Sequence, residues 1–127
     1  MFGPNPTEGE LAILRVLWSR AAPTTVHEVH DELLRSKDTA YTTVLKMLTI
    51  MTEKGLVKRD ESERAHVYRA TLSEDETQRQ LVSGLLKRAF GGSTSRLVLQ
   101  ALASRKTSAN DLAEIRRLID KLSREKS

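Results

Sequence analysis

Apolar residues recur at helical spacing along most of this chain, and polar capping signals mark where each run begins. Thr7-x-x-Glu10 is a capping box, in which the Thr hydroxyl takes an orphan N–H and the Glu reaches back. Behind it Leu11, Leu14, Leu17 and Trp18 fall on one helical face, with Ile13 beside them. Pro23 breaks the chain, and Thr25-x-x-Glu28 opens a second helix with Val26, Val29 and Leu33 on its apolar face and Leu34 at the margin. Ser36–Asp38 is a short polar connection, after which Asp38 or Thr39 is expected to cap a third helix. Val44, Met47, Leu48 and Met51 form that helix's buried stripe, and Gly55 is its expected left-handed stop.

Two short extended runs follow, Leu56–Asp60 and His66–Ala70, with the charged turn Glu61–Ala65 between them. Val57 and Val67 are the expected inward residues, flanked by Tyr68. Ser73-x-x-Glu76 is a third capping box, starting a helix that runs to about Phe90 and buries Leu81, Val82, Leu85, Leu86 and Ala89. Gly91-Gly92-Ser93 is a break. A short helix with Leu97, Val98, Ala101 and Leu102 comes next, and Ser108 starts a last helix with the wide apolar stripe Leu112, Ile115, Leu118, Ile119 and Leu122.

The order of elements in residues 38–70 (a helix, a glycine stop, then a charged hairpin) is the second half of a winged helix-turn-helix. In that module the third helix enters the major groove of DNA and the hairpin reaches the flanking backbone. The fold expected is mostly α with a small β-hairpin wing: a winged-helix DNA-binding domain over residues 1–72 and a helical region over 73–127. Fifty-five residues are little material for an independent core. The breadth of the apolar stripes there favours pairing with a second copy, which also doubles the base contacts of a DNA reader. The expected dimerisation residues are Leu81, Val82, Leu85, Leu86, Phe90, Leu97, Val98, Leu102, Leu112, Ile115, Leu118, Ile119 and Leu122.

Composition changes this picture in only one respect. The chain has 127 residues, 39% of them hydrophobic and 30% charged, and a net charge of +4. Residues 1–70 hold ten Lys/Arg and ten Asp/Glu, whereas residues 71–127 hold eleven and seven. The expected DNA module is thus not basic in sum, and its positive charge gathers late, at Lys54, Lys58, Arg59, Arg64 and Arg69. The absence of cysteine fits a cytoplasmic protein and removes thiolate chemistry. No run of 18 apolar residues suggests membrane insertion, and MFGPNPTEGELA lacks signal-peptide character.

The third helix presents Thr42, Thr43, Lys46 and Thr49 to solvent, with Leu45 and Ile50 also off the buried stripe. Thr is a middling helix former, so three on the outward face of one helix are not explained by propensity. Short hydroxylic and apolar side chains are poor solvent chemistry but suit thymine methyls and phosphates. In the hairpin, Lys58, Arg59, Arg64 and His66 are basic, with Arg64 at the turn best placed for phosphate. The plainer account of these bases is a solubilised sheet edge. His27 and His30 lie three apart on the second helix, but no third ligand or cysteine joins them, and a surface location is the simple reading. No glycine-rich phosphate loop, nucleophile elbow or HExxH motif is present, so neither an enzyme nor a cofactor is expected. A winged-helix protein-interaction module without DNA readout is the alternative that Leu45 and Ile50 keep open.

The chain resembles the penicillinase-repressor family, the group of BlaI and MecI regulators that also includes the CopY repressors. The resemblance covers nearly the whole chain. It is carried by Glu10-Leu11-x-Ile13-Leu14-x-x-Leu17-Trp18, Ala40-Tyr41-Thr42-Thr43-Val44, Glu53-Lys54-Gly55-Leu56-Val57, Arg64-Ala65-His66-x-Tyr68 and Phe90-Gly91-Gly92-Ser93. It implies a homodimeric repressor on a palindromic operator, often with TACA/TGTA-like half-sites, dimerised through its C-terminal helices. Family base-reading positions correspond to Thr42, Thr43, Leu45 and Lys46, and Tyr41 joins them among the expected DNA contacts. The family is usually polar at position 45 and often has Arg at 50, so Leu45 and Ile50 bear on operator preference and phosphate affinity. The cysteine motif of copper-responsive relatives is lacking, which argues against copper sensing. The beta-lactam branch is released when a membrane sensor protease system leads to cleavage at an Asn-Phe bond; the matching pair here is Gln100-Ala101.

Overall fold

The computed structural model describes residues 5–126. The first four residues, part of the stretch lacking signal-peptide character, and Ser127 lie outside the described residues. The elements are α1 (Glu8–Arg20), β1 (Thr24–Thr25), α2 (Val26–Leu33), α3 (Tyr41–Lys54), β2 (Val57–Asp60), β3 (Val67–Ala70), α4 (Glu74–Phe90), α5 (Thr94–Ser104) and α6 (Ala109–Glu125). The mostly helical fold with a small wing is therefore present. The chain divides into two compact units after Ser83, within α4.

All three capping boxes form. The Glu10 and Glu28 backbone N–H groups donate to the Thr7 and Thr25 hydroxyls at 3.2 Å, and each Glu accepts in return from the N-cap N–H at 2.9 Å. Ser73 and Glu76 repeat the exchange. Backbone donors lying on the carboxylates hold Glu28 and Glu76 below the ordinary carboxylate range, with Thr25 and Ser73 as the leading causes. The third helix departs from expectation. Its N-cap is Ala40, with no side-chain cap, because the Thr39 hydroxyl turns back to the Lys37 carbonyl instead.

The core of the first unit is Ile13, Leu14, Val16, Leu17, Val26, Val29, Val44, Leu48, Met51, Val57 and Tyr68, all buried. Helices α1, α2 and α3 meet there, and the sheet closes one side. Met47 and Leu33 are only partly buried at its margin, and Leu34 is exposed beyond the end of α2. Tyr68, not Val67, is the inward residue of β3; Val67 is half-buried. The reason is register: Val57 pairs with Ala70, and alternation along β3 puts Tyr68 on that same inward face. β1 pairs antiparallel with β3, giving the order β1-β3-β2, with Tyr68 between Thr24 and Arg59. This extra strand, which the hydropathy pattern did not announce, makes β3 central. The Trp18 indole N–H donates to the Leu72 carbonyl at 3.0 Å, fixing the chain where it leaves the sheet.

In the second unit, Gly91 and Gly92 both take positive φ, and the Gly92 N–H reaches the Leu86 carbonyl at 2.9 Å, ending α4 in a left-handed stop. Ser93 then caps α5 and Ser108 caps α6. The apolar residues of α4 are not buried within the single chain as expected: Val82, Leu85 and Ala89 are exposed, and Leu81 and Leu86 half-buried. Leu112, Leu118, Ile119 and Leu122 of α6 are likewise exposed.

Candidate nucleic-acid interface

Helix α3 is held by one face and open on the other. Val44, Leu48 and Met51 are fully buried, and with about 3.6 residues per turn this leaves Thr42, Thr43, Lys46 and Thr49 in water on the far side. Gly55 ends the helix at φ 81°, and the Leu56 N–H returns to the Met51 carbonyl at 2.9 Å. The chain can therefore turn at once into β2, which brings the wing beside the helix. The Lys54 ammonium, in the last turn, lies 3.0 and 2.9 Å from the two Glu10 carboxylate oxygens and anchors α3 to the start of α1.

The structure separates the expected DNA-facing residues into two groups. Thr42, Thr43 and Lys46 share the open face. Leu45 sits elsewhere: it lines a crevice of about 240 Å³ with Thr25, Val26, His27, Tyr41, Arg64, Ala65, His66 and Tyr68, between α2, the start of α3 and the wing. Ile50 is exposed on the other edge of the helix. Leu45 and Ile50 thus do not form one apolar patch, because five residues along a helix turn about 140°.

The wing bases are not equivalent. Arg59 pairs with Glu61, whose carboxylate is 3.3 Å away, and its neighbours Tyr68 and Glu61 raise its pKa above the ordinary guanidinium value, Tyr68 first. His66 Nε2 lies 3.7 Å from the same Glu61. Lys58 and Arg64 make no ion pair among the described residues. Arg64 at the turn is a free guanidinium carried on a hairpin.

Of the two histidines expected at the surface, His27 is exposed and His30 is partly buried, and both meet Tyr41. The His27 ring packs on Tyr41 at a tilt of 37° with centroids 4.6 Å apart, and His30 meets the same ring edge-on at 5.7 Å. His30 is partly buried, and its Nε2 lies 2.7 Å from the Thr39 carbonyl, occupying the carbonyl just before α3. The signal that places His27 near the wing is Thr24-Thr25, two β-branched residues after Pro23 that pair with β3. In the second unit, Gln100 and Ala101 are exposed but lie inside α5, so a protease acting on their bond must first unwind that helix.

These elements define a winged helix-turn-helix protein with a helical C-terminal region. Residues 6–121 match the family described as penicillinase repressor, and the chain belongs to that family, whose members are transcriptional regulators. Among curated proteins, the transcriptional regulator BlaI of Mycobacterium tuberculosis is 42% identical over 77 residues, 61% of this chain and 53% of the relative. The match thus spans about half the length of that relative. The penicillinase repressor of Staphylococcus aureus is 21% identical over 115 residues, 91% of this chain and 90% of the relative. No helix among the described residues is long and apolar enough to cross a membrane.

Proposed function

We propose that this chain is a sequence-specific DNA-binding repressor, acting in the cytoplasm as a homodimer on a palindromic operator by promoter occlusion. The observation that carries the reading is α3: one face locked into the core by Val44, Leu48 and Met51, the other presenting Thr42, Thr43 and Lys46 beside a basic wing. A rigid element with short polar side chains outward can enter a major groove, read base edges and contact phosphates. Lys58 and Arg64 supply further phosphate contacts, and Arg59 supplies one from a more constrained position. The names of the relatives, a transcriptional regulator and a repressor, support the same reading.

Dimerisation is supported by the apolar residues that the single chain leaves in water. On α6, Leu112, Leu118, Ile119 and Leu122 are 41–56% exposed, and Val82 and Leu85 on α4 are similar. Such surface is costly to hydrate and marks an interface when contiguous. Release by a membrane sensor protease system would act on Gln100-Ala101 in α5.

Fluorescence anisotropy tests this reading, with the purified protein and the duplex upstream of its own gene against a scrambled duplex, across a salt series. A salt-sensitive preference for the native fragment is the expected result. Equal, weak binding to both would count against it and favour the protein-interaction reading, which a pull-down for partners would then test.

A further inference from the structure

The crevice between the start of α2, the start of α3 and the wing has the chemistry of an anion site. His27 lines it from α2, Tyr41 and Leu45 from α3, and Arg64 and His66 from the wing. No Asp or Glu among the described residues lines it. A guanidinium, two imidazoles and a phenol can all donate hydrogen bonds, and the first three carry or can take up positive charge. The three histidines of the chain are not equivalent here. His30 is committed to the Thr39 carbonyl, and His66 lies 3.7 Å from Glu61. The His27 ring is set by its contact with Tyr41, and its nitrogens have no hydrogen-bond partner among the described residues.

Size separates a small-molecule pocket from a site for one anionic group. Pockets that bury organic ligands occupy about 300–1,000 Å³. This crevice has about 240 Å³. At about 30 Å³ per water, that is room for a phosphate group and a few waters. Position separates a free anion from one carried on a polymer. The hairpin of a winged helix reaches the backbone beside the groove that the third helix enters. The crevice lies in the corner between those two elements, with Arg64 of the wing turn on one side and the first turns of α3 on the other. Leu45 adds an apolar wall beside the donors, which suits the sugar carbons next to a phosphate.

We propose that this crevice is a site for one phosphate of the DNA backbone, held by His27, Arg64 and His66, with Tyr41 as the platform that positions the His27 ring. The choice of DNA rests on the proposed repressor function. The imidazoles make the contact pH-dependent, because the charged ring attracts the phosphate more strongly than the neutral one. The charged groups around them pull in both directions. On α2, Asp31 stands one turn beyond His27 without an ion pair among the described residues, and Glu28 is engaged by the Thr25 N–H and by Arg20. On α3, Lys46 follows Leu45. On the wing, Glu61 lies between Arg59 and His66, and Glu63 precedes Arg64. Glu61 already favours the charged form of His66 before DNA arrives, so the larger share of proton uptake on binding falls to His27.

The test is anisotropy with the full-length protein on the native upstream duplex and on a scrambled duplex, at fixed salt, from about pH 8 to about pH 6. Affinity should rise as pH falls, by up to about tenfold per pH unit for each proton taken up. The factor should be the same on both duplexes, since a phosphate carries no sequence. His27→Gln and the double variant H27Q/H66Q should remove most of that rise and leave the ratio of native to scrambled binding unmoved. Circular dichroism monitors their fold. His27→Phe keeps a ring on Tyr41 without the nitrogens and should behave as His27→Gln does. A pH response that survives in the Phe variant but not in the Gln variant would reduce His27 to a packing residue and overturn the proposal. A double variant with the parent's affinity and pH profile, and an intact preference for the native duplex, would overturn the crevice and leave the operator reading standing. Equal binding of both duplexes by the parent, with the pH response lost in the double variant, would sink the operator reading and support the crevice. Binding of neither duplex, with the ring NMR signals of His27 and His66 moving on addition of inorganic phosphate, would also overturn the proposal, since the site would then take a free phosphate.

Discussion

The Lys54 ammonium and the Glu10 carboxylate, 44 residues apart in sequence, form an ion pair at 2.9 Å that ties the last turn of α3 to the first turn of α1. Glu10 also accepts from the Thr7 N–H, so one carboxylate closes a capping box and anchors the candidate reading helix. Burial pushes this carboxyl up, but the Thr7 and Lys54 donors together with the Lys54 charge outweigh it, and its pKa lies below the ordinary value. The two halves of the pair are unequal, with side-chain exposures of 6% for Glu10 and 27% for Lys54. Removing the lysine strands a buried carboxylate, whereas removing the carboxylate's charge lets the lysine turn to water. Lys54→Met should therefore cost about 1–3 kcal/mol and Glu10→Gln about 1 kcal/mol or less, read by urea unfolding. Equal losses would mean that the carboxylate is better solvated than its exposure indicates.

The same pair sets a pH dependence. Because the folded pKa of Glu10 is depressed, its contribution is fully present above the unfolded carboxylate pKa and is lost as pH falls through the folded value. Glu28 and Glu76, depressed by their capping boxes, act in the same direction. Stability should decline on the acid side, and Lys54→Met should flatten that decline. Thermal melts of parent and variant from neutral to acid pH measure it; parallel curves would show that the pair is not the linked group.

Two helices of the first unit end in the left-handed region, one on Gly55 at φ 81° and the other on Ala21 at φ 52°. A Cβ on Gly55 would meet nothing within 4 Å, so its penalty is the backbone's alone. Gly55→Ala should destabilise by about 1–2 kcal/mol, and Ala21→Gly should stabilise by up to about 1 kcal/mol. Opposite shifts in melting temperature are expected from these substitutions, and a fall in both would show that Ala21 is held by more than its backbone.

Most of the architecture is legible in the sequence because its signals are local. Capping boxes at Thr7, Thr25 and Ser73, the stop at Gly55 and the stripe of α3 are each written within a few residues. What the sequence hides depends on partners distant along the chain. Thr24-Thr25 is too short to announce a strand, and only the register that pairs Val57 with Ala70 puts Tyr68 rather than Val67 on the core face. Thr39 looks like a cap but bonds to Lys37, leaving that position to Ala40. The split between Leu45 in the wing crevice and Thr42, Thr43 and Lys46 on the open face likewise emerges only once the wing is placed.

The unequal environments of the wing arginines give a direct comparison. Arg64 has no acidic partner among the described residues, whereas Arg59 must give up Glu61 before it can meet a phosphate. Arg64→Ala should lower affinity uniformly across DNA sequences and make the salt slope shallower by about 0.9, with Arg59→Ala producing a smaller change. A larger effect at Arg59 would show that Glu61 holds it in a binding posture.

Lys46 offers the sharpest test of readout, because it stands on the open face of α3 between the hydroxyls of Thr42 and Thr43 and the exposed Thr49. A lysine there can donate to a guanine edge or to a phosphate, and the two roles leave different signatures. If it reads a base, Lys46→Ala should cost about 1–3 kcal/mol on the preferred duplex and relax the preference at one base-pair position. Binding to a panel of duplexes, each changed at a single position, measures this. Uniform weakening over the panel would make Lys46 a phosphate contact and leave base discrimination to Thr42 and Thr43, whose hydroxyl and methyl groups can meet a base edge and a thymine methyl together.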